Sequence, residues 1–129
     1  MHLGKLEIKK ANMSDKVYDL EERTAVFGED IINFLKKVPH NRINNKLITQ
    51  LVKAGTSVRA NYSEADDAVS KKDFKNKIGI SKKEARECKH FLRMIWTAEP
   101  KLKKEAKILW QEAKELNLIL NAFFLSYNY

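Results

Sequence analysis

The sequence predicts an all-α protein built as an antiparallel up-down-up-down four-helix bundle. Only four glycines and two prolines occur in 129 residues, and a third of the residues are charged, so the chain has little of the turn chemistry of a many-stranded fold. Apolar residues recur at alternating spacings of three and four along four separate stretches. Four amphipathic helices joined by short connections pack most simply as a single bundle domain.

The first helix is expected over residues 15–37, after an N-terminal extension of residues 1–14, with the whole bundle occupying residues 15–129. Ser14 is positioned to cap this helix, and Pro39 stops it. The extension is polar and basic, and no apolar run approaches the roughly 18 residues of a membrane span, so we expect a cytoplasmic protein without a membrane role. The inward stripe of the first helix comprises Val17, Leu20, Thr24, Phe27, Ile31, Phe34 and Val38.

The second helix is expected to begin among the capping asparagines of residues 41–45 and to run to about Asp67. Its apolar stripe comprises Leu47, Leu51, Ala54, Val58 and Ala65, with Asn61 filling a seam position. Polar residues interrupt one flank of the stripe, and such groups need partners at a helix seam. If the second and third helices pair antiparallel around the turn at residues 68–70, Ser57 comes opposite about residues 81–84 and Asn61 opposite about residues 77–78. A polar inter-helix network would then form from Ser57, Asn61, Glu64 and Glu84.

The third helix is expected to begin at Lys71, because Ser70 and Asp73 resemble a capping box, and to end before Pro100. Its inward stripe comprises Phe74, Ile78, Ser81, Ala85, Cys88, Leu92 and Ile95. Basic residues at spacings of three, four and seven form a ridge along one side of the helix. The ridge comprises Lys72, Lys75, Lys82, Arg86, Lys89 and Arg93.

The fourth helix is expected to carry Pro100 in its first turn and to run to about Ser126. Its inward stripe comprises Leu102, Ala106, Leu109, Ala113, Leu116, Leu120 and Phe123. After Glu115 the helix is apolar on most sides, which predicts burial of a second face in a subunit interface. The expected interface residues are Leu118, Ile119, Phe124 and Leu125.

Positive charge is concentrated in the middle of the chain, whose net charge is +8. Residues 36–59 contain six basic residues and no acidic one, and residues 71–93 contain nine basic residues against three acidic ones. Such a field attracts nucleic acid, RNA or DNA, or another polyanion such as an acidic protein, although solvated surface lysines give the same composition. Lys46, Lys53 and Arg59 of the second helix would add to the ridge of the third.

No catalytic residue, metal site or cofactor is expected. Glu87 and His90 match one Glu-x-x-His element of a di-iron bundle, but no second element exists. Arg86 and His90 are too close for the Arg-His motif of the HEPN class of ribonucleases. Cys88 lies on an apolar seam, where cysteine is usually an inert hydrophobe. For the protein to be an enzyme, the polar residues Ser57, Asn61, Glu64 and Glu84 would have to line an open cavity.

Isolated glycines and tryptophans are expected to serve packing. Gly28, Gly55 and Gly79 stand alone, so they form no phosphate-binding loop and instead mark close helix approach. Trp96 and Trp110 are expected to anchor the core or an interface.

The run LVKAGTSVRANYSEA, followed by SKKDF and IGISKKEARECKHFLRMI, closely resembles the four-helix-bundle family named for proteins encoded in 23S rRNA intervening sequences of bacteria. The similarity covers about Tyr18 to Asn121, and the sequence departs from the common pattern at Arg59 and at residues 65–66. The resemblance implies a homopentameric ring and no established enzyme activity. The matching positions are Ser57, Ala60, Asn61, Glu64, Lys71, Asp73, Phe74, Glu84, Phe91 and Leu92.

The leading functional hypothesis is a non-catalytic nucleic-acid-associated protein that binds RNA phosphates through the basic ridge. The alternative is a structural or protein-partner scaffold whose basic face meets an acidic protein, with no nucleic-acid role.

Overall fold

The structure, a computed structural model, describes residues 19–127, and this part of the chain contains helices and no strand. The prediction of an all-α protein with four helices is therefore confirmed. The helices are α1 (Leu20–Leu35), α2 (Arg42–Asp66), α3 (Lys71–Ala98) and α4 (Lys103–Ser126), with a 3₁₀ turn (Pro100–Leu102) before α4. None of these helices is both long enough and apolar enough to cross a membrane.

α1 begins at Leu20, five residues later than the sequence predicted. Asp19 is its cap, since the carboxylate accepts a hydrogen bond from the backbone N–H of Glu22 at 3.3 Å. Two glutamates in the first turn also suit the positive end of the helix dipole. The predicted cap Ser14 and the predicted inward residue Val17 lie outside the described residues.

The predicted caps of α2 and α3 are confirmed. The side chain of Asn41 accepts a hydrogen bond from the N–H of Asn44 at 2.8 Å, so α2 begins at Arg42. The hydroxyl of Ser70 accepts one from the N–H of Asp73 at 3.0 Å, so α3 begins at Lys71. Each cap involves residues within one helical turn, so the sequence alone was sufficient to predict it.

The start of α4 differs from the prediction. Pro100 opens a 3₁₀ turn in which the N–H of Leu102 donates to the carbonyl of Glu99 at 2.9 Å, and the α-helix starts only at Lys103. Short 3₁₀ turns are common at α-helix ends, and proline fits the first position because it has no N–H to satisfy.

One core joins the inward stripes of all four helices. Most of the predicted inward positions are buried, but Leu47 and Leu102 are only partly buried at the margin. The prediction for Asn61 was wrong: Tyr62 fills that place in the seam, with 1 % exposure, and Asn61 lies half-buried beside it. Tyr62 continues the stripe four residues after Val58. Its large ring fills the core with apolar volume, whereas the amide of Asn61 would bury a polar group there.

The register of α2 against α3 is as predicted. The hydroxyl of the buried Ser81 donates to the carbonyl oxygen of Val58 at 2.7 Å. Nearer the connecting turn, the ammonium group of Lys77 lies 3.0 Å from a carboxylate oxygen of Glu64. Residue numbers that rise on one helix while falling on the other show that the two helices are antiparallel.

Close packing of α1 on α2 depends on glycine. A β-carbon at Gly55 would lie 3.0 Å from Cγ2 of Ile31, and one at Gly28 would lie 3.4 Å from the carbonyl oxygen of Gly55. The predicted close approach at these two glycines is confirmed. It brings the backbones of α1 and α2 together at the middle of the bundle.

Candidate nucleic-acid interface

The basic ridge of α3 divides into two rows. Lys75, Lys82 and Lys89, spaced by seven residues, are partly buried along the side of α3 that faces α4. Arg86 and Arg93 are exposed beside this row, and the more outward position of Lys72 is also exposed. The structure therefore brings the six predicted ridge residues onto one side of α3.

Two ridge lysines hold the ring of Phe124 from α4. The ammonium groups of Lys75 and Lys82 lie 4.7 and 4.4 Å from the centre of this ring. Lys82 also donates to the side-chain oxygen of Asn121 at 2.7 Å. Gly79 leaves room for the ring, because a β-carbon there would lie 3.1 Å from its Cε2. Phe124 is thus packed within its own chain.

Tryptophan rings continue this lysine-and-ring pattern along the bundle. The ammonium groups of Lys89 and Lys114 lie 5.2 and 5.7 Å from the centre of the Trp110 ring. The ammonium group of Lys107 lies 5.9 Å from the centre of the Trp96 ring. The basic surface therefore includes α4, whose lysines were not predicted to belong to it.

Acidic residues of α4 point to the other side of the bundle. Arg23 of α1 binds both oxygens of Glu112, at 2.7 and 2.8 Å, and reaches Glu115 at 3.1 Å. Lys37 of α1 pairs with Glu105 at 2.9 Å. The carboxylates of α4 are thus engaged by α1, and the face of α4 turned to α3 keeps its positive charge.

The three basic residues of α2 that were predicted to add to the ridge lie in two different places. Arg59 lies 3.6 Å from a carboxylate oxygen of Glu21, so it is directed to α1 and away from the ridge. Lys46 and Lys53 are exposed, four and three residues from Gln50. Gln50 lines a shallow pocket together with Arg86, so the two lysines lie on the part of α2 next to this pocket.

The four residues of the predicted polar network make separate contacts. The side chain of Asn61 donates to the carbonyl of Ser57 at 2.9 Å within α2, while Glu64 pairs with Lys77. Ser57 and Glu84 approach each other across the helix pair, where the Ser57 hydroxyl lowers the pKa of the Glu84 carboxyl group. Asn61 is bonded within α2 and Glu64 pairs with Lys77, so the predicted inter-helix network of these four residues does not form.

Burial raises the pKa of the Glu84 carboxyl group, and the neighbouring Glu87 raises it further. The Ser57 hydroxyl and Lys83 act in the opposite direction with smaller effect. Because the folded pKa lies above the unfolded one, the folded state binds more protons through this range. The free energy of unfolding therefore falls as pH rises from the unfolded pKa through the folded one.

We expect Glu84→Gln to raise the melting temperature by a few degrees at neutral pH and to leave it unchanged at about pH 3, where the carboxyl group is protonated in both states. Thermal unfolding at the two pH values measures this. Glu29→Gln, at an exposed position on α1, is the matched control and should change neither value. A lower melting temperature at neutral pH would show that the ionised Glu84 is net stabilising.

The expected interface residues differ in exposure. Leu118 and Leu125 are 58 and 63 % exposed, whereas Ile119 and Phe124 are partly buried against the core of the same chain. Phe124 in particular is engaged by α3 as described above. An apolar surface therefore remains at the C-terminal end of α4, centred on the two leucines.

Groups that could carry catalysis or bind a metal are dispersed. In residues 19–127 no three His, Cys, Asp or Glu side chains lie close enough together to hold a metal ion. Cys88 is fully buried, and burial raises the pKa of its thiol far above the ordinary value. His90 is exposed, with its ring 5.0 Å from that of Phe91. These residues offer an inert thiol and a surface imidazole.

Comparison with known proteins places the chain beside one family. A family model for the 23S rRNA-intervening sequence proteins matches residues 16–122. A crystal structure of a protein of unknown function from the S23 ribosomal protein family of Bacteroides thetaiotaomicron VPI-5482 is similar, with 27 % identity and a TM-score of 0.71. That match covers 81 % of this chain and 93 % of the other. Among curated proteins none matches the chain. The resemblance found in the sequence is confirmed.

Proposed function

The chain belongs to the 23S rRNA-intervening sequence protein family, and from this premise we propose that it is a non-catalytic protein that binds RNA phosphates through the basic surface of α3 and α4. The family name supports RNA as the polyanion. A phosphate backbone is bound by arrays of lysine and arginine with little dependence on base sequence. We therefore expect structured RNAs of different sequence to bind with similar affinity.

The observation that carries the proposal is the separation of charge between the two sides of α4. Its carboxylates face α1 and are engaged by Arg23 and Lys37. Its lysines share the opposite side with the ridge of α3, where Lys107 and Lys114 lie over the tryptophan rings. Positive charge concentrated on one surface raises the local concentration of a polyanion and speeds its association.

We also propose that the protein works as a homo-oligomer, a pentameric ring as the family resemblance implies. Support comes from Leu118 and Leu125, since two large apolar side chains exposed on one end of a helix favour contact with another subunit. Five copies of a weak phosphate-binding surface would bind one RNA together, because each further contact forms at a high effective concentration.

Salt dependence tests the proposal. We expect the purified protein to shift labelled structured RNA at about 50 mM salt, and to lose at least about a thousandfold in affinity by about 200 mM if six or more phosphates are contacted. Light scattering on the same sample gives the mass of the binding species, which should exceed that of the 15.0 kDa monomer. Absence of a shift at the lower salt, combined with binding to an acidic protein, would replace RNA by a protein partner.

A further inference from the structure

A groove between α3 and α4 contains both tryptophans of the protein. Its volume is about 520 Å³, both indole rings are partly buried, and no acidic residue lines it. The lining residues are Arg93, Trp96, Lys103, Lys107, Trp110 and Gln111. Aromatic rings beside cations, without a nearby carboxylate, suit a ligand that has both flat rings and negative charge.

Flexible ammonium groups lie over the two indole rings. Lys107 lies over Trp96, and Lys89 and Lys114 lie over Trp110, at distances of 5.2 to 5.9 Å from the ring centres. In the part of the chain that the structure describes, none of these three lysines forms an ion pair. A cation–π contact at an accessible site is weak, and a lysine stem moves readily. The lysines can therefore move aside and leave the rings open.

We propose that this groove binds single-stranded RNA, with unpaired bases stacked on Trp96 and Trp110 and the displaced lysines bound to the adjacent phosphates. The inference rests on the proposed function and names the kind of RNA that it concerns. Base stacking on an aromatic ring is worth more than a solvent-exposed cation–π contact, so exchanging one for the other favours binding. Lysine that leaves a ring for a phosphate gains a full charge pair.

Single-stranded RNA fits the groove better than a duplex or an acidic peptide. In a duplex the base faces are covered by neighbouring bases, so only phosphates and sugars remain for the protein. An acidic peptide would satisfy the lysines but leave the indole faces without a matching partner. Only unpaired nucleotides use both components of the groove.

The pattern of lysines beside aromatic rings extends along α3 beyond the groove, and we call this longer surface the binding track. Lys75, Lys82 and Lys89 precede Trp96 at intervals of seven residues, two helical turns each, so the row spans about 30 Å. Phe124 lies between the first two lysines at the far end from Trp96. The track thus offers three rings in succession, which matches an extended strand of several nucleotides.

Intrinsic fluorescence tests the proposal directly, because the protein has two tryptophans and both lie in the groove. We would titrate the full-length protein with oligo(U) of about 16 nucleotides, the upper end of single-strand site sizes. Inorganic polyphosphate of equal charge and an RNA duplex are the comparison ligands. We expect oligo(U) to quench the fluorescence, and the other two to bind without quenching.

Tryptophan variants give the matching affinity test. Trp96→Leu and Trp110→Leu should each weaken oligo(U) binding about tenfold and leave duplex binding unchanged, while Trp110→Phe should restore most of the affinity. Phe91→Leu, which alters a partly buried ring on the side of α3 turned to α2, is the control and should change neither. Unchanged duplex binding also shows that the variants are folded.

The outcomes distinguish this inference from the function on which it rests. Oligo(U) binding without quenching, and with full affinity in the leucine variants, would overturn stacking while leaving phosphate binding intact. No binding to oligo(U), duplex or structured RNA would overturn both. Quenching by polyphosphate would also overturn stacking, since a ligand without bases would then produce the signal.

Discussion

Reversing the charge of Lys82, Arg86 and Lys89 together should abolish RNA binding at physiological salt. The three residues follow one another at spacings of four and three, so they lie on successive turns of α3, with Lys82 and Lys89 against α4 and Arg86 exposed beside them. Replacing each by glutamate removes three phosphate contacts and adds three repulsions. We expect affinity to fall by at least about a hundredfold, and the slope of log affinity against log salt to decrease by about three.

A control variant with the same change in net charge shows whether location matters. Lys36, Arg42 and Lys101 are exposed outside residues 72–96 of α3 and 103–114 of α4, and their reversal to glutamate should reduce affinity only slightly. Equal losses in the two triple variants would mean that total charge, and not this surface, governs binding. Unchanged affinity in the ridge variant would contradict the proposed interface.

The ridge variant must also remain folded. Lys82 loses its hydrogen bond to Asn121 and its contact with Phe124, so a small loss of stability is expected. The mass from light scattering and the helical circular dichroism should match those of the wild type. Retained mass and helicity would assign the loss of binding to charge.

Phe74→Ala should cause the largest loss of stability among single substitutions in this part of the bundle. Phe74 is fully buried in the first turn of α3, and its ring stands edge-on to Phe123 with centres 6.3 Å apart. The ring of Tyr127 lies 4.6 Å away. Removing a buried phenyl group leaves a cavity and costs about 3–5 kcal/mol, a large part of the about 5–15 kcal/mol that stabilises a typical domain.

Urea unfolding at a fixed protein concentration measures this loss, because assembly would make stability depend on concentration. Phe74→Leu keeps more of the buried volume and should lose less, which gives a measurable variant if Phe74→Ala does not fold. Val69→Ala, at a position 90 % exposed, should change the free energy of unfolding by less than about 0.5 kcal/mol. A loss below about 1 kcal/mol in Phe74→Ala would be inconsistent with the packing between α3 and the end of α4.

The sequence predicted those parts of the structure that depend on neighbouring residues. The caps Asn41 and Ser70 act within one turn, and the seam of α3 follows from helical spacing alone. The register between α2 and α3 was also readable, because a short turn at residues 68–70 fixes which residues stand opposite. Tyr62 was missed because helical spacing allows the seam to pass through either residue 61 or residue 62. The core takes Tyr62 because its ring fills more apolar volume.

The composition of the basic surface was predictable only in part. Spacing places the six ridge residues on one side of α3, but it does not say which neighbouring helix that side meets. That choice depends on the order of helices around the bundle, which is a tertiary property. Lys107 and Lys114 were therefore missed, and Arg59 was grouped with the ridge although it faces α1. The sequence did contain a signal for these two lysines. Lys107 and Lys114 lie three and four residues from Trp110, a spacing that places them beside it on the helix surface.

Photo-crosslinking tests most directly which surface contacts RNA. Protein bound to thiouridine-labelled structured RNA would be irradiated and digested, and the peptides carrying nucleotide would be identified by mass spectrometry. The proposed interface predicts crosslinks within residues 72–96 of α3 and residues 103–114 of α4. Crosslinks confined to α1 or α2, or none under conditions where the RNA is fully bound, would contradict it.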